Sequence, residues 1–143
     1  MPDTQFLLFD SLSEPRKGLI IRQPWATLVV SGDKTWEIRG FRAHFRGPIA
    51  IIAGGTGTVV GSCELVDCLG PLSLATYNSC RRLRGSPDEI VETLPYPNTY
   101  AWVMTHPRKL QHPVPYPHPK GAVIWVKLPD ETRQFMLNAD KGP

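Results

Sequence analysis

Pro24 and Gly32 confine any helix near the start of this chain to about two turns, between β-rich runs at 18–22 (GLIIR) and 34–39 (KTWEIR). Proline at the first helical position loses no hydrogen bond, because its missing N–H would be orphaned there anyway. Trp25, Leu28 and Val29 then share one helical face, and Gly32 supplies the stop. In the run that follows, Trp36 and Ile38 alternate with Thr35, Glu37 and Arg39, the pattern of a strand with two different faces.

The rest of the chain continues in short elements. Residues 48–53 read as an apolar strand and 58–68 as a longer one, with Gly61 marking a bulge or bend. Between them, Gly54-Gly55-Thr56-Gly57 lacks the lysine and strand-to-helix context of a phosphate-binding loop, so it reads as a hairpin turn. A helix is expected over 72–83. A second is expected over 86–94, where Ser86-Pro87-Asp88-Glu89 combines an N-cap serine, an N-terminal proline and a capping-box glutamate. Strands at 100–105 and 122–128 complete about six. In the last, Ile124, Val126 and Leu128 alternate with Val123, Trp125 and Lys127. No sustained βαβ alternation occurs. The expected fold is mainly β with peripheral helices (α+β), a small, mostly antiparallel barrel with one short helix after the first strand and further helices after the third long strand.

Pro113, Pro115, Pro117 and Pro119 occupy every second position. Every missing N–H then falls on one lateral side, and the segment can pair only through Val114, Tyr116 and His118. Two readings stay open: a protected edge strand, or a polyproline-like crossing.

With 143 residues, 41% of them hydrophobic and 20% charged, the chain suits one packed domain and not a disordered polyelectrolyte. The expected division is an N-terminal arm at 1–17, with Phe6 and Phe9 pinning it to the surface, a domain at 18–129 and a C-terminal tail at 130–143. A net charge of +3 is modest, so any nucleic-acid site must be a local patch. Cys63, Cys68 and Cys80 are odd in number and read as reduced, with Cys63 and Cys68 projecting to opposite sides of a strand. His106, His112 and His118 show no metal-ligand spacing, and neither metal nor cofactor is expected. Phe6-Leu7-Leu8-Phe9 is too short to span a membrane and lacks a basic flank, so the cytoplasm is the expected compartment.

Chemistry concentrates at 22–39. Glu37 and Arg39 share a strand face about 7 Å apart. Lys34 stands at the strand entrance, and Arg22 and Gln23 lead into the helix, whose free N–H groups add positive character. Arginines can clamp a phosphate or stack on a base, and Trp25 or Trp36 could offer a face worth about 1–3 kcal/mol per base. Glu37 could accept from an exocyclic amine or act as a general base; Lys34, its pKa lowered by Arg22 and Arg39, could activate a nucleophile. The competing reading is structural: Glu37 neutralises Arg39 or Lys34 while both tryptophans fill the core, Trp36 more readily than Trp25. Two further basic clusters, Arg39/Arg42/His44/Arg46 and Arg81/Arg82/Arg84, could line a phosphate track or simply face solvent.

At these residues the chain resembles the ASCH family (activating-signal-cointegrator homology), related to the PUA fold. The match lies in Ile21-Arg22-Gln23-Pro24-Trp25-Ala26 and Ser31-Gly32-Asp33-Lys34-Thr35-Trp36-Glu37-Ile38-Arg39. It continues through residues 59–68, through Tyr100-Ala101-Trp102-Val103 and through Lys120-Gly121. The resemblance implies a PUA-like barrel with a cleft beside the first helix that binds RNA or a nucleotide. Arg22, Gln23, Trp25, Lys34, Glu37 and Arg39 would line that cleft, with Thr35 beside them. Some bacterial relatives resemble ribonucleases, and a short branch hydrolyses N4-acetylcytidine, so Lys34 and Glu37 would be the acid–base pair if this chain is an enzyme. In that branch a threonine stands at the position of Glu37, and the hydroxyl is therefore missing here. Larger relatives also carry a longer insertion where this chain has only the glycine turn. A protein partner bound through the proline-rich edge or the N-terminal arm is the third expectation.

Overall fold

The computed structural model describes residues 15–140. The expected pinning of the arm by Phe6 and Phe9 lies outside the described residues. Six strands form one sheet: β1 (Lys17–Ile21), β2 (Trp36–Arg39), β3 (Gly47–Ala53), β4 (Thr58–Leu69), β5 (Tyr100–Pro115) and β6 (Trp125–Lys127), in the order β2-β5-β4-β3-β1-β6. Only β1 and β3 run parallel; the other neighbours are antiparallel. Helices α1 (Trp25–Ser31), α2 (Leu74–Ser79) and α3 (Asp130–Asp140) lie around it. Mainly β with peripheral helices is therefore the observed class.

At β3 the sheet is buried on both faces. Along β3, Ile49, Ile51 and Ala53 enter the main core with Leu19, Leu65 and Trp102, while Ala50 and Ile52 enter a second cluster with Leu110, Val114 and Met136. Double burial explains why this strand is a continuous apolar run instead of an alternating one. Met136 belongs to α3, so the segment expected as a C-terminal tail is an eleven-residue helix packed on β5. Arg16 and Lys17, expected in the N-terminal arm, join the sheet: the Leu128 N–H donates to the Arg16 carbonyl, and Lys17 pairs with Lys127.

Gly61 is a bulge, as expected. The register shifts there against both neighbours, and a Cβ at this position would lie 2.3 Å from the Arg108 carbonyl oxygen and 2.6 Å from Val30 Cγ1 of α1. A further irregularity, between Leu65 and Asp67, corrects the expectation for the cysteines. One added residue reverses the alternation, so Cys63 and Cys68 both point into the main core. All three cysteines are free.

The proline-rich segment resolves as an edge strand over its first part. β5 pairs with β2 only through Tyr100–Val103; beyond that it pairs with β4 alone, as far as Val59 opposite Val114 and Thr58 opposite Pro115. Strand 122–128 shortens to Trp125–Lys127, although Val126 and Leu128 are buried and Val123 is exposed, as the alternation predicts.

Both helices expected between β4 and β5 are corrected. The first is only Leu74–Ser79, because Leu83 turns its carbonyl outward to accept from both Thr35 N and Trp36 N. The helix expected at 86–94 is absent. Its capping-box residue Glu89 is held by Arg84, which donates to the Glu89 carboxylate at 2.7 Å and carbonyl at 2.6 Å. Asn78 fixes Val91 through both its N–H and its carbonyl. Tertiary hydrogen bonds outweigh a local helix signal that is worth about 1 kcal/mol.

Candidate functional site

The sheet does not close on itself: β2 and β6 are its two edges. Arg39 spans the seam, its Nη2 donating to the Ile20 carbonyl of β1 at 2.9 Å. A cleft of about 640 Å³ opens there, with Ile20 and Ile21 of β1 on one side and Ile38 and Arg39 of β2 on the other. That volume is typical of small-molecule sites. Trp25 of α1, Arg22, Lys34 and Glu37 complete the wall expected from sequence.

Glu37 lies at the centre of the charges. Its Oε2 accepts from Arg39 Nη2 at 2.7 Å and Nε at 3.1 Å, and its Oε1 is 3.6 Å from Lys34 Nζ. The carboxylate, on a side chain only 8% exposed, is thus bracketed by two cations. Lys34 is 4% exposed; its Nζ donates to the Trp36 carbonyl at 2.7 Å and to the Arg84 carbonyl at 2.8 Å. Burial lowers its pKa below the ordinary lysine value, Glu37 opposes this, and Arg84 and Arg39 add to it. Arg84 therefore stands where the sequence suggested Arg22 as a source of the shift.

Arg22 differs from these groups. It is exposed at the cleft wall, and among the described residues its guanidinium has no hydrogen-bond or ion-pair partner. Trp25 is half-buried on the same wall, with Lys34 Nζ 5.3 Å from its ring centroid. Gln23 and Thr35 go elsewhere. Gln23 Oε1 accepts from Thr27 N and Oγ1 and so closes the first turn of α1, while Thr35 spends both backbone groups on Leu83 and Met104. The amides of Ala26, Thr27 and Leu28 are likewise satisfied within the turn, which corrects the expectation of free N–H groups at the helix start. Trp36 is buried, as the structural reading had it.

The opposite wall comes from 77–96 and was missed in the sequence. Arg84, 2% exposed, lies 3.9 Å from the Tyr77 ring centroid and donates from Nε to the Tyr77 carbonyl. Gly85 packs against the Lys34 stem, its would-be Cβ 3.1 Å from Lys34 Cβ, and this close approach seats the loop over the lysine. Tyr77 is 6% exposed and lines the cleft, and its hydroxyl has no protein partner among the described residues. Burial raises its pKa, with Glu89 and Tyr96 adding to the shift and Arg84 opposing it, so the group stays a neutral phenol. Arg84 appeared in the sequence only as one of three clustered arginines. Arg81 and Arg46 of the two basic clusters donate to nearby backbone carbonyls, and Arg42 reaches the Gly70 carbonyl. Among the described residues no group of three or more His, Cys, Asp or Glu could hold a metal ion, and no helix is long and apolar enough to cross a membrane.

A curled, mostly antiparallel sheet with a polar seam beside a two-turn helix defines a PUA-like domain. The chain belongs to the ASCH domain family, whose model matches residues 19–114, and that PUA-like family is generally linked to RNA binding. Among solved structures, the ASCH protein from Zymomonas mobilis matches with a TM-score of 0.60 at 16% identity, covering 85% of this chain and 93% of that one. A serine-to-alanine mutant of ZmASCH from the same organism gives 0.62 at 17% identity, covering 87% and 97%. A tyrosine-to-phenylalanine mutant gives 0.58 at 18%, covering 85% and 96%. At such identities the likeness establishes the fold. No curated protein matches the chain in sequence.

Proposed function

We propose that this chain binds RNA or a nucleotide unit in the seam cleft. The carrying observation is the charge arrangement: Arg22, Lys34, Arg39 and Arg84 against Glu37 and Glu89, with Arg22 left unpartnered at the wall. Arg22 contacts a phosphate, Trp25 offers a face to the base, and the Tyr77 hydroxyl reads a base edge. Lys34 and Glu37 set the shape and charge of the floor. Their groups are largely engaged already, Lys34 by two carbonyls and Glu37 by Nε and Nη2 of Arg39, which suits positioning better than proton transfer.

Titration of fluorescent single-stranded RNA at several salt concentrations tests this reading. Each lost phosphate contact lowers the slope of log K against log salt by about 0.7. Arg22→Ala is expected to weaken binding and reduce the slope by about that amount. Absence of binding at low salt, or identical binding by Arg22→Ala, would overturn it.

A second reading, hydrolysis of RNA or of an acylated cytidine by Lys34 and Glu37, is favoured by the lowered Lys34 pKa alone. The RNA 2′-hydroxyl would then supply the nucleophile for strand cleavage. Turnover of either substrate that disappears in both Lys34→Ala and Glu37→Gln would establish it over pure binding.

A further inference from the structure

A second concentration of cations lies at the other end of β1. Lys17 stands directly opposite Lys127 of β6, so two like charges share one face of the sheet, a pairing that is destabilising in itself. Arg16 is exposed beside them, and Arg133 of α3 reaches the same place. With Trp125 and Asp130 they line an open groove of about 530 Å³. Asp130 is already paired with Arg133 at 3.2 Å, and the groove keeps a positive excess.

Lys17 is fixed in position. Its Nζ lies 3.8 Å from the Phe45 ring centroid and 4.4 Å from that of Trp125, an arrangement that orients the ammonium. Trp125 stacks on Trp102 at 5.9 Å, and Arg39 of the cleft lies 5.7 Å from the Trp102 ring. One aromatic pair therefore connects a cation of the groove with a cation of the cleft. Along β1, Arg16 and Arg22 are six residues apart, about 20 Å at the rise of a strand.

Resting on the cleft reading, we infer that this groove is a second phosphate-contact site for the same RNA strand, so that the ligand is an oligonucleotide reaching both sites and not a mononucleotide. An enclosed phosphate pocket would bury its donors, whereas Arg16 and Lys127 are exposed along an open surface. A flexible polyanion suits that geometry, and its phosphates would offset the opposed lysines.

Fluorescence anisotropy with labelled uridine oligomers of about 2 and about 12 nucleotides, over a series of salt concentrations, tests the inference. The variant is Arg16→Gln/Lys127→Gln, both at exposed positions, with unfolding curves to verify that the fold is intact. Expected results are an unchanged affinity for the dinucleotide and at least about tenfold weaker binding of the long oligomer. The salt slope for the long oligomer should fall by about 1.4, two contacts' worth. Unchanged slope and affinity for the long oligomer would overturn the groove. So would a variant that loses binding to phosphatidylserine vesicles while keeping that of RNA. If the groove variant weakens RNA binding but Arg22→Ala does not, the cleft reading and the two-site ligand both fail. Loss in each variant separately supports both.

Discussion

Replacing Glu37 by glutamine removes one charge at almost constant shape, and the cleft geometry sets what that should cost. The carboxylate faces Arg39 Nη2 at 2.7 Å and Lys34 Nζ at 3.6 Å. At an effective dielectric constant of about 20, each contact carries a gross attraction of about 4–6 kcal/mol, largely offset by the desolvation of all three groups. Once the charge is gone, Lys34 at 4% and Arg39 at 16% side-chain exposure repel each other with no anion between them. Losing one partner of a buried ion pair costs about 3–5 kcal/mol, and the retained amide oxygen, still able to accept from Arg39, places the expectation near 3 kcal/mol. For a chain of this size that corresponds to a melting temperature lower by about 10 °C.

Urea unfolding followed by tryptophan fluorescence reads this directly, provided the m-value is unchanged. A loss below about 1 kcal/mol would refute the bracketed-carboxylate argument. The double variant Lys34→Met/Glu37→Gln sharpens the test. Removing both charges should be milder than the sum of the single losses by more than about 1 kcal/mol. Recovery stays partial, because the Trp36 and Arg84 carbonyls lose the donor they shared. Strict additivity would show that the two groups are not coupled. In RNA titrations Glu37→Gln should bind at least as tightly per folded molecule, since the cleft gains net positive charge; loss of binding would count against electrostatic attraction there.

Three further outcomes are expected. Tyr77→Phe should leave stability within about 0.5 kcal/mol, because the hydroxyl bonds to no protein group. The same variant should weaken nucleoside or dinucleotide binding about tenfold, one hydrogen bond's worth, with the salt slope intact; equal affinity would remove the hydroxyl from the site. Gly61→Ala should cost about 3 kcal/mol or more in urea unfolding, since its Cβ collides with the Arg108 carbonyl and Val30, and a loss below about 1 kcal/mol would contradict this packing. Cys63 is pushed up to about 12 from 9.0, by burial first and then by Glu37 and Glu64. Between those values the unfolded thiol ionises while the folded one keeps its proton, so this contribution is intact below pH 9 and falls about tenfold in folding constant per pH unit above it. Lys34, with its pKa lowered from 10.5, acts with the opposite sign just below that value, so the comparison of wild type with Cys63→Ala isolates the thiol. A shallower alkaline decline in Cys63→Ala is expected, and parallel curves would refute it.

What the sequence revealed and what it hid follow from the range of the forces involved. The two-turn α1, the glycine hairpin and the Gly61 bulge are set by backbone permissions of single residues, and each lies where the residues place it, except that Pro24 is the N-cap of α1 instead of its first helical residue. Alternation succeeded in β6, where Val126 is buried and Lys127 is exposed. It failed between Cys63 and Cys68 because one irregularity near Leu65 reverses the parity of everything beyond it. No residue type at 65–67 announces that shift. The absent helix at 86–94 is the same lesson at larger scale. Ser86, Pro87 and Glu89 are good starting residues, but Arg84 takes the Glu89 carboxylate that a capping box would have used and the Glu89 carbonyl that a helix would have paired within itself.

The cleft divides along the same line. Lys34, Glu37 and Arg39 were legible as a group because three residues of strand put Glu37 beside Arg39, and Lys34 folds back upon them. Their partners Arg84 and Tyr77 were not, since Lys34 reaches Arg84 across fifty positions and no periodicity spans such a gap. This distance decides how the site should be understood. A lysine at a strand entrance, taken alone, is a mobile cation available for chemistry. Held by the Trp36 and Arg84 carbonyls beneath Gly85, it becomes a fixed post that joins the loop at 80–86 to β2. Among the described residues Arg22 is the cleft cation left without a partner, and under the proposed reading its guanidinium, on the same wall as the Trp25 indole, suits a ligand that brings both negative charge and a flat ring.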